Sequence, residues 1–311
     1  MTKARQAILL AFVGVCIAST PAVRAASIYW SGGNANWSDA AGWGGTEPGA
    51  ADIAYNNQNA ATLTLTTTKQ VTGLNIAVNG GNVTSAVTIA PTGSLSMTGG
   101  GNNIWIGAQA NLSPTGTLTV QGELNYNGFI RMAAFQNSGT TASGNLVIDG
   151  GTVALSGGNR IFMTMAGYST TAEASLTVKN GGALNGLGNL DAGDGVTTFN
   201  LTLGDTGIDP IDISGNMTLS DAGTHTLNVN TAGVNWASVG YSVPLFEIGG
   251  TLSGTFDTIN VIGGVGEVIV ASDTIVVVPE PASASLLAVL AVSLAGRAGL
   301  AASRRRQRQR V

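Results

Sequence analysis

Cysteine and histidine are almost absent from this sequence, each occurring once in 311 residues. Cys16 lies in an apolar run near the N-terminus, so the rest of the chain can form no internal disulfide and has no thiol chemistry. His225 cannot be combined with cysteines or a second histidine into a zinc site of the usual spacing. Its neighbours Gly223, Thr224 and Thr226 predict a surface or turn position for the imidazole.

Charged residues are also scarce, at 10% of the chain, and basic ones are nearly missing from its middle. Residues 27–278 hold four basic and sixteen acidic side chains, which gives a net charge of 4 − 16 = −12. Nucleic-acid binding requires a basic face, so this balance excludes a nucleic-acid partner. The four basic residues are Lys69, Arg131, Arg160 and Lys179.

The acidic residues match no known pattern of a metal or catalytic site. One aspartate-rich stretch is a candidate for Ca²⁺, but its spacing fits neither an EF-hand loop nor the Gly-rich nonapeptide that binds Ca²⁺. Capping of local turns by aspartate is the simpler interpretation. No local pair of carboxylates is arranged for polysaccharide cleavage. We therefore predict no metal, no cofactor, no catalytic residues and a protein that is not an enzyme. The stretch contains Asp191, Asp194, Asp205, Asp209 and Asp212.

The first 25 residues have the features of a secretory signal peptide. Lys3 and Arg5 form a short basic start, and residues 8–18 form an apolar run of 11 residues, too short to span a bilayer. Val23 and Ala25 place small or modest side chains at positions −3 and −1 of a cleavage site after Ala25. We expect the secretion translocon to export the chain and signal peptidase to remove this segment.

The C-terminal residues combine three elements. Pro279-Glu280-Pro281 is followed by an apolar segment, 282–302, which Arg297 interrupts. At about 1.5 Å per residue, a helix of this length spans roughly 30 Å, the thickness of a bilayer's hydrocarbon core. An arginine cluster follows, and the positive-inside rule places it in the cytoplasm and the body of the protein outside. The cluster consists of Arg304, Arg305, Arg306, Arg308 and Arg310.

Together, the tripeptide, the apolar segment and the arginine cluster resemble the PEP-CTERM sorting signal, over residues 278–311. The resemblance implies that an exosortase recognises and processes the tail, and that a transmembrane helix holds the chain in the membrane before processing. It also implies passage through the inner membrane to the cell envelope, the cell surface or the extracellular space of a Gram-negative bacterium that makes exopolysaccharide. The alternative is an ordinary C-terminal membrane anchor.

A short strand-like pattern recurs in the middle of the chain, which is rich in glycine, asparagine and threonine and so disfavours helices. Residues 116–122, 144–150 and 174–181 match one another, and 199–204 form a looser fourth copy. A second strand-like segment precedes each copy, and a third follows a glycine turn. The second segments are 104–107, 130–133, 161–164 and 190–193, and the anchoring leucines, 28, 30 and 25 residues apart, are Leu118, Leu146, Leu176 and Leu201.

These repeats predict an all-β fold with a parallel β-helix, or β-solenoid, as its body. Alternation within each copy places leucine and valine on one face and threonine on the other. Units of this length with three short strands suit stacked turns that bury equivalent leucines in one ladder, with glycines of positive φ at the corners. The alternative takes residues 149–151 and 180–182 as hairpin turns of an antiparallel β-sandwich.

Three tryptophans mark the N-terminal module. Trp30, Trp37 and Trp43 lie in a glycine- and asparagine-rich stretch that resembles the opening module of β-helical surface proteins related to autotransporter passengers. Exposed rings would contact carbohydrate, whereas buried rings would close the open end of a solenoid core. The predicted units are 1–25 (signal peptide), 26–100 (N-terminal β-rich module), 101–215 (solenoid repeats), 216–277 (C-terminal strand cap) and 278–311 (sorting tail).

Two functions fit these features. The first is an exported cell-surface or extracellular-matrix structural protein that an exosortase sorts through its tail. The alternative is a carbohydrate-binding protein associated with exopolysaccharide. Neither the repeats nor the tail identifies a ligand.

Overall fold

The computed structural model describes residues 25–57, 60–78, 81–97, 103–108, 112–134, 141–239, 242–263 and 266–279. Strands and one short helix make up the regular structure of these residues. In chain order the strands are β1 (Ser27–Tyr29), β2 (Ala35–Asn36), β3 (Ile53–Asn56), β4 (Thr62–Leu65), β5 (Thr68–Gln70), β6 (Gly73–Ile76), β7 (Thr84–Ile89), β8 (Ser94–Met97), β9 (Ile104–Ile106), β10 (Thr115–Val120), β11 (Glu123–Tyr126), β12 (Ile130–Met132), β13 (Ser143–Asp149), β14 (Thr152–Phe162), β15 (Glu173–Lys179), β16 (Ala183–Ala192), β17 (Val196–Thr202), β18 (Ile211–Ile213), β19 (Met217–Leu219), β20 (Thr224–Asn230), β21 (Val243–Ile248), β22 (Leu252–Ser253), β23 (Thr258–Ile262), β24 (Glu267–Val270) and β25 (Thr274–Val278), and the helix is α1 (Trp236–Val239).

The strands form two sheets in which nearly all pairing is parallel. A nine-stranded sheet follows the order β2-β4-β7-β10-β13-β15-β17-β20-β23, so each strand pairs with its equivalents one turn before and one turn after. A sixteen-stranded sheet contains two further rows of stacked strands. The long strand β14 belongs to both rows, because its first part pairs with β11 and its second part pairs with β12. Successive turns of the chain therefore stack as a parallel β-solenoid, and this prediction is confirmed.

The predicted leucine ladder is present in the core. Leu118 pairs with Leu146, and Leu146 with Leu176, in parallel register, and all three side chains are 0% exposed. Each leucine therefore packs against its equivalents in the neighbouring turns. The antiparallel sandwich is wrong, because Val153 pairs in parallel with Leu184 of the next turn rather than across a hairpin with Leu146.

One repeat is aligned differently from the prediction. Leu176 pairs with Phe199, and Val178 with Leu201, so the fourth copy is shifted by two residues. Both Phe199 and Leu201 still face the core, because a shift of two residues keeps the same face of a strand inward. The Phe199 ring meets the Phe246 ring edge-on, with 5.9 Å between the ring centroids.

Glycines occupy one corner of the solenoid in successive turns, for two different reasons. Gly150 and Gly181 have φ of +75° and +76°, as predicted for corner glycines. Gly122 has no such φ, but a Cβ there would lie 2.1 Å from the carbonyl oxygen of Gly93. A Cβ on Gly151 would in turn lie 2.6 Å from the carbonyl oxygen of Gly122. Close approach of stacked backbones therefore selects glycine here, in addition to turn conformation.

The solenoid is continuous across the predicted boundaries after residues 100 and 215. β7 pairs with β10 across the first of them, and β17 pairs with β20 across the second. At the C-terminal end the pairing becomes antiparallel, where β25 lies between β21 and β24. This hairpin covers the edge of β21 that the next solenoid turn would otherwise occupy, which removes one open edge.

Candidate functional site

The three N-terminal tryptophans close the first turns of the solenoid. Trp30 and Trp37 are 0% exposed, and Trp43 is 3% exposed. The Trp43 ring centroid lies 5.1 Å from each of the other two rings, and its indole N–H donates to the Trp37 carbonyl oxygen at 2.6 Å. Of the two interpretations of these rings, burial matches closure of the core's end, because their faces are packed inside and not presented to a carbohydrate. They supply the apolar area that closes the core's end.

His225 is buried, at 1% exposure, which corrects the predicted surface or turn position. It lies on β20 and pairs with Thr197 of β17. Its Nδ1 is 2.7 Å from Thr197 Oγ1, and its Nε2 is 2.9 Å from the carbonyl oxygen of Ser220. Because a carbonyl only accepts, Nε2 carries the proton and Nδ1 accepts from the threonine hydroxyl. Both ring nitrogens are thus used within the fold, which indicates a structural role.

The aspartates of the predicted Ca²⁺ candidate are not gathered into a site. Within the ranges that the structure describes, no three acidic, histidine or cysteine side chains come together as a metal-binding group. Asp194 accepts from Ser220 Oγ at 2.5 Å and from the Gly167 backbone N–H at 2.6 Å, and these bonds lower the pKa of its carboxyl group. Asp194 therefore joins loops 27 residues before it and 26 residues after it, which differs from the predicted capping of its own local turn.

The predicted sorting tail lies outside the described residues, apart from Val278, the last residue of β25, and Pro279, which follows it. Residues 1–24 also lie outside them. Among the helical residues that the structure does describe, none form a helix long and apolar enough to cross a membrane. The signal peptide, the transmembrane helix and the sorting motif therefore stay predictions. The tail residues concerned are Glu280, Pro281, Arg304, Arg305, Arg306, Arg308 and Arg310.

One row of outward-facing side chains runs along the sixteen-stranded sheet, parallel to the solenoid axis. Trp105 on β9 pairs with Arg131 on β12, and Arg131 pairs with Phe162 on β14. Phe162 pairs with Asp191 on β16, and Asp191 with Thr218 on β19. Each of these five residues stands between two buried apolar neighbours in the chain, so the two-residue period turns its side chain outward. We call these five residues the outer row.

The guanidinium group of Arg131 lies among aromatic rings. Its Cζ is 5.0 Å from the ring centroid of Trp105, 4.9 Å from that of Phe162 and 5.7 Å from that of Phe129, which are cation–π distances. Burial lowers the pKa of Arg131, but an arginine stays protonated in a protein. Phe129 is 37% exposed. A positive charge is thus held on an exposed aromatic surface.

A pocket of about 280 Å³ adjoins the outer row at Phe162 and Asp191. Arg160 Nη1 lies 3.9 Å from Asp191 Oδ2, and the two side chains are 47% and 27% exposed. Burial raises the pKa of Asp191, although the charge of Arg160 acts in the opposite direction. The buried Thr164 Oγ1 has no hydrogen-bond partner among the described residues. The pocket is lined by Arg160, Phe162, Thr164, Met165, Ala166, Asp191, Ala192, Gly193, Thr218 and Ser220.

This surface concentrates basic residues, which are scarce in the body of the protein between residues 27 and 278. No family model, curated protein or solved structure matches the sequence. The chemistry of the surface is therefore inferred from its residues alone. Arg131 and Arg160 are two of the four basic residues between 27 and 278, and an aromatic cluster surrounds the first of them. Basic and aromatic groups together can bind a ligand that has both apolar faces and negative charge.

The outer row corresponds to one position of the repeated segments in the sequence. The segments 104–107, 130–133, 161–164 and 190–193 are predicted as equivalent strands, and the structure stacks them in that order. The second residue of each segment is the one that faces outward. Aligning the segments by that position would have placed one tryptophan, one arginine, one phenylalanine and one aspartate in a single column.

Proposed function

We propose that the protein is an exported structural protein of the cell surface or extracellular matrix, sorted through its C-terminal tail by an exosortase. The observation that carries the proposal is that the first and last strands of the folded body lie just inside the two predicted processing sites. β1 begins at Ser27, two residues after the predicted cleavage at Ala25, and β25 ends at Val278, immediately before Pro279. Both terminal segments could therefore be removed without cutting a strand.

The interactions of the body also suit a structural role outside the cell. The described fold is stabilised by ladders that repeat from turn to turn, and no disulfide is needed. On the outer face of the nine-stranded sheet, Asn260 Nδ2 donates to Asn228 Oδ1 at 2.9 Å, and Asn228 Nδ2 donates to Asn200 Oδ1 at 2.8 Å. Stability in such a stack comes from repeated contacts between neighbouring turns, so an elongated rod needs no cross-links.

Processing of the tail gives the first test of this proposal. We expect the mature protein to lack the segment beyond about Pro281, because the tripeptide, apolar segment and arginine cluster together form the predicted sorting signal. Intact-mass measurement on protein from the envelope or the medium would detect the loss. Glu280→Ala should leave the tail attached. A wild-type mass that includes residues 282–311 would contradict the proposal and leave an ordinary membrane anchor.

Orientation of the tail gives a second test. Replacing Arg304, Arg305 and Arg306 by serine removes most of the charge that stops transfer across the membrane. We expect the altered tail to be translocated across the membrane, so that the product is no longer retained there for sorting. Cell fractionation would detect the change. The matched control replaces the same three residues by lysine, which keeps the charge and should keep the wild-type distribution. Wild-type localisation of the serine variant would rule out the cluster as a topological signal.

A further inference from the structure

We propose that the outer row and the pocket beside it bind an acidic polysaccharide, a chain of sugar units that carry carboxylate groups. The proposal goes beyond a structural role, and it depends on the proposed export only in that such polymers lie outside the cell. The surface is defined by Trp105, Phe129, Arg131, Arg160, Phe162 and Asp191, which the fold brings together from four turns of the solenoid.

Aromatic rings supply the contact with the sugar rings. A pyranose ring has an apolar face of C–H groups that packs against the face or edge of an aromatic side chain and leaves its hydroxyl groups at the rim. Phe129 is 37% exposed, and its ring meets that of the half-buried Phe162 edge-on at a centroid distance of 5.9 Å. In the body of the protein, by contrast, the N-terminal Trp30 and Trp37 are fully buried. The exposed rings therefore form an apolar surface that a sugar can reach.

Positive charge selects an acidic sugar over a neutral one. The other two basic residues of the body form closer ion pairs, since Lys69 Nζ lies 2.6 Å from Glu47 Oε1 and Lys179 Nζ lies 3.4 Å from a carboxylate oxygen. Arg160 is 47% exposed and too far from Asp191 for a hydrogen bond, at 3.9 Å. Arg131 and Arg160 thus provide the positive charge of a body that is otherwise acidic. Arginine binds carboxylates through paired, charge-assisted hydrogen bonds, which are stronger than the bonds that it donates to the hydroxyl groups of a neutral sugar.

The direction of the row fits a polymer better than a single sugar. Successive residues of the outer row belong to successive turns, and neighbouring strands lie about 4.8 Å apart. Five such positions cover roughly 19 Å along the solenoid axis. An extended chain lying parallel to the axis would meet one side chain per turn, with stacking on aromatic rings at one end and contacts with the Arg160 guanidinium group and the Thr218 hydroxyl group at the other.

Titration calorimetry with polygalacturonate, and with neutral dextran as the comparison polymer, tests this inference on the protein isolated from the envelope or medium. We expect polygalacturonate to bind and dextran not to bind, and binding to weaken as salt is added. Arg131→Gln combined with Arg160→Gln should weaken binding about tenfold or more, because it removes the charge-assisted hydrogen bonds. Phe129→Ala should also weaken binding, and its ring is exposed enough that the fold should be kept.

Lys179→Gln is the matched control, since it removes a basic residue on a different sheet and should leave the affinity for polygalacturonate unchanged. Thermal unfolding of each variant shows whether the solenoid is intact. The inference is overturned if polygalacturonate does not bind, if dextran binds equally well, or if the folded arginine variants bind like the wild type. Because these measurements do not involve the tail, a negative result leaves the proposed sorting function untouched, and a retained tail leaves the binding site untouched.

Discussion

Leu146→Ala is expected to lower the free energy of unfolding by about 2–5 kcal/mol. Leu146 is 0% exposed and stacks between Leu118 and Leu176, so truncation opens a cavity inside a ladder that is closed on both sides. The neighbouring leucines are held in place by the backbone pairing of their strands and can collapse into the space only in part. Chemical denaturation of the wild type and the variant gives the difference.

Val147→Ala is the matched control for this substitution. It lies next to Leu146 on β13, but it faces outward and is partly exposed. The loss of its side chain should change the free energy of unfolding by less than about 1 kcal/mol. Equal effects of the two substitutions would mean that this strand does not bury one face, and would contradict the stacked ladder.

Gly122→Ala is expected to destabilise the protein by about 1–3 kcal/mol, although it adds a single methyl group. That methyl group would lie 2.1 Å from the carbonyl oxygen of Gly93 and 2.4 Å from that of Ala90. Both are backbone atoms of the preceding turn, and they cannot rotate away as a side chain could. Either the backbone at the corner moves or the distance between stacked turns increases. Each change weakens the backbone hydrogen bonds between turns at this corner. One of them is donated by the Thr152 N–H to the Gly122 carbonyl oxygen at 2.8 Å.

Gly33→Ala provides the comparison for the glycine substitution. A Cβ at Gly33 meets no atom within 4 Å, and the residue does not have a φ in the left-handed region. Alanine should therefore be neutral or slightly stabilising there, because it reduces the conformational freedom of the unfolded chain. Thermal or chemical unfolding would separate the two cases. A Gly122→Ala variant as stable as the Gly33→Ala variant would show that the turns are less tightly stacked than the structure indicates.

The all-β class, the solenoid and the leucine ladder could be predicted because they follow from local properties of the chain. Alternation of apolar and polar residues defines the buried face of a strand wherever the strand is placed, and similar units at similar spacing favour stacking. The same local rule places Trp105 and Arg131 outward between buried neighbours. It holds even in the fourth copy, where the predicted alignment is shifted by two residues, because a shift of two preserves the face.

Contacts between turns could not be read from any one segment. Whether Trp30 packs inside or faces a ligand depends on what covers the end of the core, and the burial of His225 depends on Thr197 and Ser220, which lie on other parts of the chain. The sequence alone therefore determined which residues of each strand point inward and outward. Only the tertiary structure decided which outward residues meet, because the lengths of the loops between strands set the register in which Arg131 is placed beside Phe162.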